Sequence, residues 1–269
     1  MTTDGKLDRL KADIATMESV LIAFSGGVDS TFLLRVAVDV LGADRVLALT
    51  AISPTYPHYE FEESCKLATA MGVRQLVVES DELKVPEFTR NDSRRCYHCK
   101  SILFNLCRAK AAEFGFIRVL DGSNLDDLDD FRPGRDAVIE QQIRSPLQEA
   151  GLTKEEIRIL SRRLGLPTAE KQAFACLSSR FPYGTELTLQ RLKQVERCEA
   201  FFREQGFVNY RVRYHHEIAR IEVAVAELPR LLDSNLRDSV IAACKDAGFS
   251  YVTLDLQGYR TGSMNEVLA

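Results

Sequence analysis

The sequence predicts an α/β protein: a parallel sheet with helices on both faces, joined to a second, smaller α+β domain. Three observations predict it. Short apolar runs alternate with helical patterns through the first half of the chain. A glycine-containing turn stands where the first apolar run meets the next helix. Beyond residue 187 the rhythm changes to helix, strand, strand, helix, strand.

Leu7, Leu10, Ile14 and Met17 form one stripe of an amphipathic helix at the start of the chain. Residues 20–24 are an apolar run suited to a buried parallel strand. A helix at 30–41, a strand at 45–51, a helix at 59–71 and a strand at 74–79 follow. Residues 96–114 read as a helix and 117–121 as a strand. Ligands in such sheets bind at the carboxyl ends of the strands. The pattern loosens around 132–146. Thr153 and Glu156 form a capping box that opens a helix at 154–164. Residues 166–184, broken by Pro167, Pro182 and Gly184, read as a long loop, a feature often kept for function. The last part reads as a helix from Thr188, strands at 208–214 and 218–225, a helix at 235–247 and a strand at 250–256. The expected domains are therefore 1–175 and 176–269.

The 269 residues are 45% hydrophobic, enough for one good core and a smaller second one. A formal charge of −4 argues against a nucleic-acid partner, whose phosphates call for a basic face. No apolar run approaches the roughly 20 residues that span a bilayer. The charged amino terminus lacks a signal-peptide core, so a cytoplasmic location is expected. Seven cysteines, an odd number, then read as thiols, ligands or catalysts before disulfides.

The turn after the first strand is Ser25-Gly26-Gly27-Val28-Asp29-Ser30. Its glycines permit a tight turn and close approach to a ligand. Backbone N–H groups and the positive helix end favour an anion there. Ser25 and Ser30 add hydroxyl donors, and Asp29 suits a site that also holds Mg2+. The loop has no lysine, so it is not a Walker-type loop. It resembles the SGGxDS signature of the PP-loop ATP pyrophosphatases. That likeness implies an adenine nucleotide alpha hydrolase-like domain that cleaves ATP between its α and β phosphates. It also implies that the end of the second strand, including Ala51, seats the adenine, and that the turn holding Gly122 and Asn124 faces the nucleotide.

Cys96 and Cys99 stand three apart at a helix start, on one face, where thiolate is favoured. The C-x-x-C pair alone suits zinc, an iron–sulfur cluster or redox chemistry. Cys176, in the long loop beside Ser179 and Arg180, is the best third partner. Cys107 is about 12 Å along the helix from Cys99, too far for one small cluster. Cys65, Cys198 and Cys244 sit alone in helical patterns and read as buried small hydrophobes.

Five segments in order resemble the LarE-type ATP-dependent sulfur transferases: SGGVDS, DGSNLDDLDDFRPG, RSPL, ACLSSRFPYG and RVRYHHEIARIE. The likeness covers nearly the whole chain. It implies a nucleotide substrate, pyridinium-3,5-biscarboxylate mononucleotide, whose carboxylates are adenylated and become thiocarboxylates in nickel-pincer nucleotide biosynthesis. It implies a PP-loop ATP-binding domain at 1–175, and a substrate, catalytic and oligomerisation domain at 176–269. It also implies a homo-oligomer, a hexamer in some members. A sulfide source and the other enzymes of that biosynthesis would be its partners. One branch sacrifices a single cysteine, matching Cys176. Members with all three thiols are implied to hold a 4Fe–4S cluster on Cys96, Cys99 and Cys176. Zinc on the thiolates and His98 is the competing reading.

Arg211 and Arg213 alternate on a strand and so share a side. Their guanidinium forks suit phosphate, as do Ser179, Arg180 and Arg260. Glu222 is expected to bind substrate or metal or to orient an arginine, with Glu199 a weaker candidate. Adjacent His215 and His216 would point to opposite faces of a strand. The rival readings are an amidating ligase resembling NAD synthase, a tRNA thiolase of the same superfamily, and a non-catalytic nucleotide- or metal-binding module.

Overall fold

The structure, a computed structural model, describes residues 1–128, 133–172, 175–260 and 262–268, apart from the side chains of Asn265, Val267 and Leu268. Residues 129–132 of the acidic motif and 173–174 of the long loop lie outside this description. In chain order the elements are α1 (Thr3–Ala15), β1 (Val20–Ala23), α2 (Val28–Leu41), β2 (Val46–Ile52), α3 (His58–Ala70), β3 (Arg74–Glu79) and α4 (Pro86–Thr89). Then come α5 (Arg95–Phe114), β4 (Arg118–Leu120), α6 (Gly134–Glu140), α7 (Pro146–Glu149) and α8 (Lys154–Arg163). The chain continues through α9 (Leu189–Glu204), β5 (Tyr210–His215), β6 (Ile218–Val223), α10 (Ser234–Asp246) and β7 (Tyr251–Leu254).

The chain forms two compact units. The first holds residues 1–82 and 93–174, the second 83–92 and 175–269. Residues 83–92, with α4, thus belong with the carboxyl-terminal part, which a single cut in the sequence could not express.

The first unit is a parallel sheet in the order β3-β2-β1-β4. Side chains alternate across it. Val20 and Ile22 face a core with Leu10, Ile14, Phe32, Leu33, Ile157 and Leu160 from α1, α2 and α8. Leu21, Leu47 and Leu49 face Cys107 and Ala111 of α5. Each fully buried leucine or phenylalanine contributes roughly 1.5–3 kcal/mol. With β1 in the middle of the sheet, the loop that leaves it is anchored on both sides. The short helices α6 and α7 fall where the sequence showed only a loosened pattern. Each is too short for a helical period to declare itself.

In the second unit β5 pairs antiparallel with β6, and β6 pairs parallel with β7. Val212, Tyr214, Ala219, Ile221 and Val223 form the buried face. Arg211, Arg213, Arg220 and Glu222 alternate with them and share the other face, with Arg211 opposite Glu222 and Arg213 opposite Arg220. Thr188 and Asp233 cap α9 and α10 by accepting from the first-turn amides. No helix among the described residues is long and apolar enough to cross a membrane.

Candidate active site

The phosphate loop starts from a fixed point. Phe24 N–H donates to the Leu49 carbonyl at 2.8 Å, and Thr50 Oγ1 donates to the Phe24 carbonyl at 2.8 Å. Gly26 then adopts φ +65°, and a Cβ there would lie 3.0 Å from Ser64 Cβ on α3. Both facts require glycine. Gly27 caps α2, which begins two residues earlier than its apolar pattern indicated. Val28, Asp29 and Ser30 are its first turn. Ser30 Oγ lies 3.1 Å from Ser25 Oγ and donates to the Gly27 carbonyl at 3.3 Å, closing the loop on itself. Gly122, after β4, reaches this helix start closely: a Cβ on it would meet Ser30 N at 3.0 Å.

These parts border a cavity of about 480 Å³, within the size range of small-molecule sites. Ser25, Gly27, Val28, Asp29 and Ser30 line it from the loop, and Gly122 and Asn124 from the turn after β4. Lys100 and Phe104 of α5 and Lys154 of α8 complete the wall. Lys154 Nζ lies 2.5 Å from Asp29 Oδ2, and Asn124 Nδ2 donates to Asp29 Oδ1 at 3.4 Å. Lys100 Nζ is 3.4 Å from Asp121 Oδ2. Asp121 also accepts from Ser123 Oγ and Ser145 Oγ, each at 2.6 Å. A helix amino terminus and two ammonium groups, each paired with a carboxylate, are groups on this wall that favour an anion. Asp29, Asp126 and Asp127 on the same wall are the oxygen donors a hard cation such as Mg2+ takes.

Gly26 and Ala51 stand apart from that wall. Gly26 supports the loop from behind, and Ala51 pairs with Val78 at the end of β2. Sequence reasoning missed Lys100 and Lys154. The available signal was the lysine-free loop itself, which leaves phosphate charge to be met by lysines at helix starts along the same sheet edge.

Cys96 is exposed and Cys99 half-buried in the first turn of α5. The Cys99 thiol donates to Glu82 Oε1 at 3.8 Å. Burial pushes the Glu82 carboxyl above its usual range. Gly134 packs tightly beside them: a Cβ would meet the Cys96 carbonyl at 3.3 Å and would displace the Lys100 side chain, whose Cδ lies 2.7 Å away. Cys107 is fully buried, and burial pushes its thiol up to about 12. Cys198 and Cys244 are buried as their patterns indicated, whereas Cys65 is only half-buried. Among the described residues, no group of three or more His, Cys, Asp and Glu side chains is placed to hold a metal ion.

Cys176 belongs to the second unit and is half-buried just before a 3₁₀ turn, Leu177–Arg180. Arg180 shapes that loop. Its Nη1 donates to the carbonyls of Ala175 at 2.6 Å and Cys176 at 3.1 Å, and to Ser179 Oγ at 2.9 Å. Its other edge makes a two-pronged pair with Glu199, both bonds 2.9 Å. Burial raises the Glu199 carboxyl, but Arg180 outweighs it and leaves the carboxyl below its ordinary value. Through these contacts Arg180 braces the cysteine loop.

Glu222 has the arginine contacts that one of its expected roles called for. It is fully buried and accepts from Arg213 at 2.8 Å, Arg220 at 3.0 Å and Ser263 at 3.2 Å. Both oxygens are committed, so it orients arginines. Arg213 Nη1 also donates to the Ser179 carbonyl at 3.1 Å. The buried Nε atoms of Arg213 and Arg220 have no acceptor among the described residues. The Arg211 guanidinium lies over the Tyr259 ring at 5.1 Å, and burial, then Arg180, lowers its pKa. Arg260 Nη2 is 3.2 Å from Glu266. His215 ends β5, but His216 has φ +57° in the turn to β6, so the expected opposite-face pair is absent.

The NAD synthase family model matches residues 7–99, which span the phosphate loop. An uncharacterized protein of Synechocystis sp. is 41% identical over 98% of this chain and 98% of its own. Pyridinium-3,5-bisthiocarboxylic acid mononucleotide synthase of Lactiplantibacillus plantarum is 40% identical over 99% of this chain and 96% of its own. An uncharacterized protein of Methanocaldococcus jannaschii is 27% identical over 95% and 98%.

Proposed function

The chain belongs to the LarE-type family of PP-loop sulfur transferases, and from that membership we propose that it uses ATP to turn the carboxylates of pyridinium-3,5-biscarboxylate mononucleotide into thiocarboxylates. One observation carries the nucleotide half of this reading. A single cavity gathers the glycine loop, the start of α2, two lysines and the Asp29 carboxylate, the groups that ATP with magnesium requires. A substrate carboxylate oxygen displaces pyrophosphate from the α-phosphate, and a sulfur nucleophile then displaces AMP from the acyl adenylate. The loop amides, Lys100 and Lys154 stabilise the charge that develops on the leaving pyrophosphate. Asp29, with Asp126 and Asp127, would hold Mg2+.

Arg211, Arg213, Ser179 and Arg260 would take the substrate's phosphate, in support of which Arg213 keeps a buried Nε donor without an acceptor among the described residues. Sulfur delivery is assigned to Cys96, Cys99 and Cys176. Their thiolate chemistry fits a 4Fe–4S cluster, which when bound supplies an iron open to a sulfide. Cys96 and Cys99 offer two such donors on one helix face. The protein would work in the cytoplasm as a homo-oligomer, receiving sulfide from a separate source and passing product to later enzymes of nickel-pincer nucleotide synthesis.

The test is incubation of purified protein with MgATP, substrate and a sulfide source. Pyrophosphate, AMP and a sulfur-containing product are expected in step. An amide formed when ammonia is supplied would point instead to an amidating ligase, and ATP bound without pyrophosphate release would leave only a binding module.

A further inference from the structure

Lys171 is not among the residues that border the cavity, yet it touches the phosphate loop. Its Nζ donates to the Gly26 carbonyl at 3.2 Å, to Glu60 Oε2 at 2.6 Å and to Glu63 Oε2 at 2.7 Å. An ammonium has three protons, and these three acceptors use all of them. In this arrangement Lys171 has none left for a phosphate. Its side chain is 15% exposed and that of Glu60 only 5%, so this pair is shielded, while Glu63 is half exposed. Its backbone is fixed too, because Arg158 of α8 donates to the carbonyls of Ala169 and Lys171.

The carbonyl that Lys171 holds belongs to the Gly26–Gly27 peptide. A trans peptide points its C=O and N–H in opposite directions. Two adjacent glycines leave that peptide free to turn over. Turned over, it would aim a carbonyl oxygen at an anion where an N–H is needed. We propose that Lys171 is a positioning residue for nucleotide binding: by holding the Gly26 carbonyl, it keeps the Gly27 N–H, which donates to Ser25 Oγ at 3.4 Å, on the side of the loop where Gly27 and Ser25 border the phosphate cavity. Glu60 and Glu63, one helical turn apart on α3, hold the ammonium in place. This inference rests on the ATP reading given above.

The experiment is calorimetric titration of the full chain with MgATP, pyrophosphate and adenosine. For Lys171→Met, affinity for ATP and pyrophosphate is expected to fall roughly tenfold or more, while adenosine binding holds. General loosening of the fold would weaken all three ligands together and would overturn the proposal. Lys171→Arg keeps donors and is expected to recover most of the affinity. Lys171→Met with Glu60→Gln and Glu63→Gln removes the stranded carboxylates. It is expected to fold and still bind pyrophosphate weakly. Wild-type affinity in that triple variant would overturn the proposal, since Lys171 would then only neutralise the two acids. Wild-type protein that does not bind MgATP would remove the nucleotide reading itself, and this inference with it.

Discussion

Lys154, the first residue of α8, places its ammonium 2.5 Å from the carboxylate of Asp29, in the first turn of α2. Residues 125 apart in sequence are thus joined across the nucleotide cavity. The pair is partly exposed, so it contributes only about 0–1 kcal/mol to stability. It sets a cation beside the Asp29 carboxylate on the wall of the cavity. Lys154→Met is expected to weaken MgATP binding by roughly tenfold or more while unfolding temperature stays close to wild type. Calorimetric titration and thermal unfolding of the two proteins check this. Asp29→Asn is expected to retain ATP binding but lose magnesium-dependent pyrophosphate release.

Gly122 sets how closely β4 approaches the phosphate loop. A Cβ there would meet Ser30 N at 3.0 Å and Ser30 Cα at 3.2 Å, both backbone atoms. Gly122→Ala is expected to cost about 1–3 kcal/mol and to lower ATP affinity as well, because Ser30 must move. Chemical denaturation and ATP titration read the two effects separately.

Arg180 and Glu199 bear on the cysteine loop. Removing one partner of a buried pair strands the other, at about 3–5 kcal/mol. Arg180→Met is expected to show that loss, against at most about 1 kcal/mol for Arg35→Met in the exposed pair with Asp39. Glu199 also predicts a pH dependence. Its folded pKa lies below the ordinary 4.5, so its contribution is complete above that value. It is lost as pH falls through the lower folded value. Glu199→Gln should flatten the acid limb of stability against pH, and an unchanged limb would remove Arg180–Glu199 from the account.

The thiols should divide by burial. Native protein treated with iodoacetamide and mapped by mass spectrometry is expected to label Cys96 first. Cys107, Cys198 and Cys244 should stay protected until unfolding. Early labelling of Cys107 would contradict both its burial and its raised pKa.

The sequence made the sheet and the loop legible for a shared reason. The apolar runs of β1 and β2 and the SGGVDS turn between β1 and α2 are local patterns, complete within a few residues. The arginines of β5 were legible by strand alternation. Arginine orientation was among the readings for Glu222, but the partners themselves were not legible: Arg180 meets Glu199 across 19 residues and Glu222 meets Arg213 across 9. Lys100, Lys154 and Lys171 were missed on the same ground. Nothing near them in sequence marks their partners, which are Asp121, Asp29 and the Gly26 carbonyl. The assignment of residues 83–92 to the second unit likewise depends on contacts such as Gly184 N–H to the Asn91 carbonyl at 2.9 Å.

In the proposed reaction a carboxylate is activated by adenylation before sulfur is installed. Substrate carrying isotopically heavy oxygen in its carboxylates tests it most directly. Adenylation predicts that one heavy oxygen appears in AMP for each thiocarboxylate formed, with none in pyrophosphate. Heavy oxygen in pyrophosphate or inorganic phosphate, or unlabelled AMP beside labelled water, would contradict it.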